Sequence, residues 1–304
     1  MPEFAGPMLR RWELGNALRR IRDERNMTIA EVTSAMKERY GSSFSTTKLS
    51  RMETARRGVI PRDVHDLCLL YGVTDQVRDH LVELAKSTRG HESPSTDEGG
   101  RGYPWFIELE RVAVKIREYS AHFMPGLLQT NEYATVVENV QFTAPDYYNP
   151  RLEPEEVPEN AADRVKLRLE RQSVLERPVP LELHSIVDEA ALYRRLPDPE
   201  VMKDQLRQLL KMSIRPNICI QVIPFSAGFY PGSESSYWTI LDFEDDELQL
   251  PRTVYAEAAS GVQILDRESD VIRLASAFTA LSGIALTPEA SRTQIEQAIA
   301  RLSH

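Results

Sequence analysis

The chain has 304 residues with 37 Lys+Arg against 46 Asp+Glu, a formal net charge of −9, and 41% hydrophobic content. This length exceeds one average domain and suits two. No run of about 18 apolar residues is present, which excludes a membrane-spanning helix of the usual length. The acidic total argues against nucleic acid as a partner, but the charge is uneven. Residues 1–90 hold 16 basic and 12 acidic side chains, or +4, and the rest holds 21 and 34, or −13. A mildly basic head on an acidic body implies that the two parts meet different partners.

Residues 1–8 read as a flexible lead with no secretory pattern. From 9 to 87 the spacing predicts five short helices. Leu14, Leu18 and Ile21 stripe the first. Thr28 and Glu31 form a capping box that opens a second, with Ile29, Val32 and Met36 on one face. Gly41-Ser42-Ser43 breaks the pattern. Ser45 caps a third helix carrying Leu49 and Met52. Pro61 starts a fourth, with Val64, Leu67, Cys68 and Tyr71 at helical spacing, and Val77, Leu81 and Leu84 mark a fifth. Residues 88–103, polar and rich in Gly and Ser, read as a linker and the domain boundary.

Residues 104–304 mix element types. Helices are predicted at 106–116, 131–139, 161–176, 199–213, 267–282 and 288–302. Strands are predicted at 117–123, 181–187, 218–223, 237–243 and 253–257, with a Pro-rich loop at 143–158. No regular βαβ rhythm shows, so the expected fold is α+β with a mixed or antiparallel sheet behind an all-α five-helix domain. Cys68 and Cys219 lie in separate apolar runs and are expected as buried reduced thiols.

The sharpest signal lies on the third helix. With Leu49 and Met52 turned inward, Thr47, Ser50, Arg51 and Thr54 point away from the bundle, flanked by Thr46 and Lys48. Arg can bind guanine through two bonds, and Thr can offer a hydroxyl to a base edge or a methyl to thymine. Arg56 and Arg57 follow as phosphate contacts, and the N-terminus at Thr28 offers free amides to another phosphate. The expected DNA-binding set is therefore Thr28, Ser45, Thr46, Thr47, Lys48, Ser50, Arg51, Arg56 and Arg57.

Thr28–Thr33 and the run Phe-Ser-Thr-Thr-Lys-Leu-Ser-Arg-Met-Glu-Thr-Ala-Arg-Arg at 44–57 resemble helix-turn-helix regulators of the Cro/repressor (xenobiotic-response-element) type. Two departures stand out. The turn carries extra residues near Ser42-Ser43, and Ala55 stands where that family usually ends the helix with glycine. Beyond the linker, 105–110, 116–119 and 123–134, with Arg171-Gln172, 187–192, 202–210 and 215–225, resemble the C-terminal domain of actinobacterial antitoxin-like, WhiJ-like transcriptional regulators. That resemblance implies a cytoplasmic regulator, often paired with a small, separately encoded BldB-like protein.

Read from the residues alone, Pro125, Gly126, Leu127, Leu128, Gln129 and Thr130 form a strand-to-helix corner. With Tyr133 they either stabilise the fold or line a partner or ligand groove. Phe225, Phe229 and Tyr230, on a Gly/Pro-rich loop after a strand, form a second candidate contact surface. His184, Asp188 and Glu189 lack an identifiable nucleophile or metal partner, and Glu244–Glu247 reads as a solvated hairpin loop. No metal or cofactor motif appears.

The expectation is a transcriptional regulator and not an enzyme. It would bind double-stranded DNA as a homodimer on a palindrome, with half-sites roughly 34 Å apart, while its C-terminal domain receives a protein partner or ligand. The alternatives are a small-molecule-responsive repressor and an enzyme recruited by its DNA-binding domain.

Overall fold

A computed structural model describes residues 6–41, 44–55, 58–88, 102–142, 160–232, 236–244, 250–258 and 261–302. The chain divides into two compact units, one built on the N-terminal 95 residues and the other on the residues from Thr96 onward.

The first unit is all helix: α1 (Pro7–Glu24), α2 (Ile29–Tyr40), α3 (Thr46–Glu53), α4 (Pro61–Tyr71) and α5 (Asp75–Ser87). Apolar stripes account for it. Leu14, Leu18, Val32, Met36, Leu49, Met52, Val64, Leu67 and Cys68 are fully buried in one core. The starts are capped as the sequence expects. Thr28 and Glu31 complete their box, the Ser45 Oγ accepts from the Lys48 amide at 3.1 Å, and Pro61 opens α4. Gly15 lets α1 press against the end of α3, since a Cβ there would lie 2.6 Å from the Met52 carbonyl oxygen.

Ala55, directly after α3, adopts a left-handed backbone with φ +55°. An L-residue pays about 1–2 kcal/mol for that conformation. Ala55→Gly relieves it but loses a buried methyl and gains unfolded-state freedom. The two losses are together about as large as the relief, so calorimetry should find the N-terminal transition shifted by less than about 1 kcal/mol in either direction.

The second unit is a six-stranded mixed sheet covered by helices. Its elements are α6 (Gly102–Val112), β1 (Lys115–Ser120), α7 (Asn131–Phe142), α8 (Ala161–Glu170), β2 (Glu182–Asp188), α9 (Glu189–Leu192), α10 (Pro199–Met212), β3 (Ile218–Ile223), β4 (Tyr237–Asp242), β5 (Thr253–Ala258), β6 (Gly261–Leu265), α11 (Glu268–Ile284) and α12 (Pro288–Arg301). The strand order is β3-β2-β1-β4-β5-β6. The first three strands run parallel and are joined through helices, and β4, β5 and β6 add antiparallel. Parallel neighbours require long crossovers, which α7, α8 and α10 supply.

The mixed sheet agrees with expectation, but half of it does follow a βαβ plan that the sequence reading missed. That reading also omitted β6, whose five residues are too few for a clear alternation. The predicted helix 161–176 changes character at Arg171, where a 3₁₀ turn runs to Leu175. Cys68 is buried, with its thiol pushed up to about 11 by burial, whereas Cys219 is only half-buried; both are free. The predicted loop at 143–158 and the Glu244–Glu247 run fall largely outside the described residues, as does the linker apart from its two ends.

Successive strand residues face opposite sides. One face carries Tyr119, Ile186, Trp238, Ile240 and Val254 onto Val271, Phe278 and Leu281 of α11. On the other face, Phe106 of α6 stacks on Tyr255 with ring centroids 4.1 Å apart. Beside it Arg171 makes a two-bond pair with buried Glu110 at 2.7 and 2.8 Å. No single described helix is long and apolar enough to cross a membrane.

Candidate nucleic-acid interface

Helix α3 presents two different sides because its sequence alternates in kind at helical spacing. Leu49 and Met52 are sealed in the core, while Ser45, Thr46, Thr47 and Arg51 are exposed and Ser50 is half-buried. The outward side is thus short, hydroxyl-rich and ends in one guanidinium. That chemistry is suited to base edges, where an arginine fork discriminates guanine and small side chains allow close approach.

Lys48, expected among the DNA contacts, has its ammonium engaged within the protein. It lies 2.7 Å from Asp63 of α4 and 4.7 Å from the centre of the Phe44 ring. Its role in the structure is to fix α3 on α4.

Thr28 is exposed at the start of α2, but its cap is occupied. The Thr28 amide donates to Glu31 Oε2 at 2.7 Å, and the Glu31 amide donates to Thr28 Oγ1 at 3.2 Å. The Thr28 amide and hydroxyl hold the Glu31 carboxyl below its ordinary range. A carboxylate therefore sits where the sequence reading placed a phosphate. Arg56 and Arg57 lie outside the described residues, as do Ser42 and Ser43.

The pose of α3 is set from behind by a pair that the sequence reading passed over. Glu53, at the helix end, is buried and accepts two bonds from Arg22 of α1, Nε to Oε1 at 2.7 Å and Nη2 to Oε2 at 2.9 Å. The Arg22 Nη1 also donates to the Met27 carbonyl at 2.8 Å. The available signal was the position of Arg22, four residues after Leu18 on the apolar stripe of α1.

In the second unit the corner at Pro125–Thr130 turns inward. Leu127, Leu128, Gln129 and Tyr133 are buried. The Gln129 side chain donates to the Met124 carbonyl at 2.6 Å, Gln205 bridges the Leu128 carbonyl and the Thr130 amide at 2.8 Å each, and Gly126 lies against the Arg171 guanidinium. Pro125 is buried too, leaving Gly126 and Thr130 partly accessible. The loop after β3 is different. Phe229 is fully exposed and Phe225 61% exposed, while Tyr230 is buried with its hydroxyl 2.8 Å from that of Tyr119.

His184, Asp188 and Glu189 each have separate partners. His184 contacts Gln221 at 2.6 Å, Asp188 caps α9 through the Ala190 amide at 2.8 Å, and Glu189 receives the Phe225 amide at 2.6 Å.

Short paired helices, the second with its apolar side in a helical core and its polar side bare, define a helix-turn-helix protein, the class of DNA-binding regulators. Comparison with known families agrees: residues 13–81 match a helix-turn-helix domain. Residues 103–297 match the family described as Domain of unknown function (DUF5753), and the chain belongs to that family. Neither curated proteins nor solved structures give a match.

Proposed function

We propose that this protein is a sequence-specific transcriptional regulator that reads an operator with the outer side of α3 and receives a signal through its C-terminal unit. The observation that carries the reading is the exposed Thr46, Thr47 and Arg51 side opposite the buried Leu49 and Met52. Arg51 is the base-reading side chain. Arg56 and Arg57 supply phosphate contacts, and residues 88–103 act as the linker. A homodimer on a palindromic operator is the expected assembly, because one eight-residue helix reads only a few base pairs.

The test is selection of bound fragments from genomic DNA, followed by titration of the selected operator with wild type and Arg51→Ala. The variant is expected to lose about 1–3 kcal/mol on that operator and to relax preference at one base position, with little loss on unrelated DNA. Equal affinity of both proteins for the operator would remove Arg51 from the interface. Wild-type binding should fall steeply with added salt as phosphate contacts release counterions.

For the C-terminal unit we favour a protein partner, such as a small BldB-like protein, over a small ligand. Phe225 and Phe229 are offered to solvent on one loop, and aromatic side chains anchor protein interfaces. The Pro125–Thr130 corner, by contrast, spends its polar groups on its own core. Mass spectrometry of whatever co-purifies with the full chain separates the two readings.

A further inference from the structure

Glu118 lies in the middle of β1, a central strand, and is buried. The sheet register sets it opposite Ser185 on β2 and Thr239 on β4, which are both fully buried. Its Oε2 accepts from the Tyr237 hydroxyl at 2.9 Å. Its Oε1, the Ser185 Oγ and the Thr239 Oγ1 make no hydrogen bond of full geometry among the described residues, although the Ser185 hydroxyl is close enough to favour the carboxylate's charge. Three such atoms in one cross-strand row are costly, since buried polar groups are normally paired.

The surroundings add a charge problem. The charged groups acting on Glu118 are Glu110 of α6 and Arg171, and these two are already joined by two bonds. Arg171 also donates to the Tyr103 hydroxyl at 2.7 Å. At the rim, the Tyr255 hydroxyl donates to Glu257 at 2.8 Å. With Glu118 protonated, the Glu118–Glu110–Arg171 group is neutral, and the new O–H is a donor for the unpaired hydroxyls beside it. With Glu118 ionised, two buried carboxylates share one guanidinium.

We propose that Glu118 is a proton-binding site of the C-terminal unit, and that α6 is the element that responds to its charge. Ionised Glu118 competes with Glu110 for Arg171 and so loosens the clamp that holds α6. The proton site itself stands independently of operator binding.

Burial pushes the Glu118 carboxyl from 4.5 up to about 7; the Tyr237 and Ser185 hydroxyls and Arg171 favour its charge, and Glu110 opposes it. The folded state thus holds this proton about 300-fold more tightly than the unfolded chain does. Because the folded value is raised, the stabilisation is fully present below the unfolded value and is lost as pH rises through about 7.

The experiment is a carboxyl NMR titration of the full chain labelled at glutamate, with Glu118→Gln assigning the signal. The expected midpoint is near 7, with the amides of Gly102–Val112 shifting at the same midpoint in wild type and not in Glu118→Gln. Tyr237→Phe removes a donor to the charged form and moves the midpoint higher, which keeps the test open if Glu118→Gln fails to fold. A Glu118 midpoint in the ordinary carboxylate range overturns the proposal. So do α6 amides that stay still through the titration or move alike in both proteins.

Discussion

Glu53→Ala is expected to cost the N-terminal unit about 3–5 kcal/mol, the range for breaking a buried ion pair by removing one partner. Glu53 is 5% exposed and Arg22 8% exposed, and the two are joined by two bonds. The Glu53 hydrogen bond raises the Arg22 guanidinium above its ordinary value despite the opposing effect of burial. Alanine leaves that buried cation with the half-exposed Asp23 carboxylate, 2.6 Å from Nη1, as its remaining counter-charge and with its Nε and Nη2 donors unanswered. A unit of this size has a total margin of roughly 4–12 kcal/mol, so the variant loses a large share of it and unfolds at a much lower denaturant concentration. Urea titration followed by far-UV circular dichroism measures the loss. The double variant Arg22→Met/Glu53→Leu removes both charges at similar volume and should recover most of it. A double variant as unstable as Glu53→Ala would show that the pair itself, and not the stranded charge, supplies the stability. Operator binding by Glu53→Ala should fail at a lower temperature, as the unit melts, whereas Arg51→Ala should leave melting unchanged, since Arg51 is exposed.

Arg171→Met is the corresponding lesion in the C-terminal unit, with an expected cost of about 3–5 kcal/mol. It leaves Glu110, 1% exposed, as an uncompensated charge beside Glu118. It also removes the guanidinium that lies 5.5 Å from the Tyr103 ring centre and 5.1 Å from that of Phe106. Calorimetry of the full chain should show a lowered C-terminal transition with the N-terminal one in place. Arg171→Lys should recover little, because an ammonium cannot make the parallel two-bond fork to Glu110. Full recovery by lysine would reduce the site to simple charge neutralisation.

Much of the fold is legible in the sequence because it is written in local terms. The helices α1 to α5 follow from Leu14/Leu18/Ile21, Val32/Met36 and Leu49/Met52 at 3.6-residue spacing, with Thr28 and Ser45 as caps. Five strands follow from β-branched or alternating runs, such as Ile218–Ile223. The outward side of α3 follows from the same wheel. The positive φ at Ala55 is legible only as a departure from the glycine usual in the resembling family.

What the sequence could not determine depends on which distant groups meet. Lys48 on a helical wheel looks available for DNA, and only the approach of Asp63 and Phe44 shows its ammonium already engaged within the protein. Pro125–Thr130 read as either corner or groove until Gln205 and Arg171, at least 40 residues away, filled its inner side. Arg22 and Glu53 are 31 residues apart, and Glu118 is an ordinary surface-type residue until β2, β4 and α6 enclose it. Propensity, capping and periodicity act over a few residues, so the sequence by itself determined the elements and the outward polar side of α3. Desolvation and ion pairing act wherever distant segments converge, so only the tertiary structure decided which charges stay exposed and which are consumed in holding each unit together.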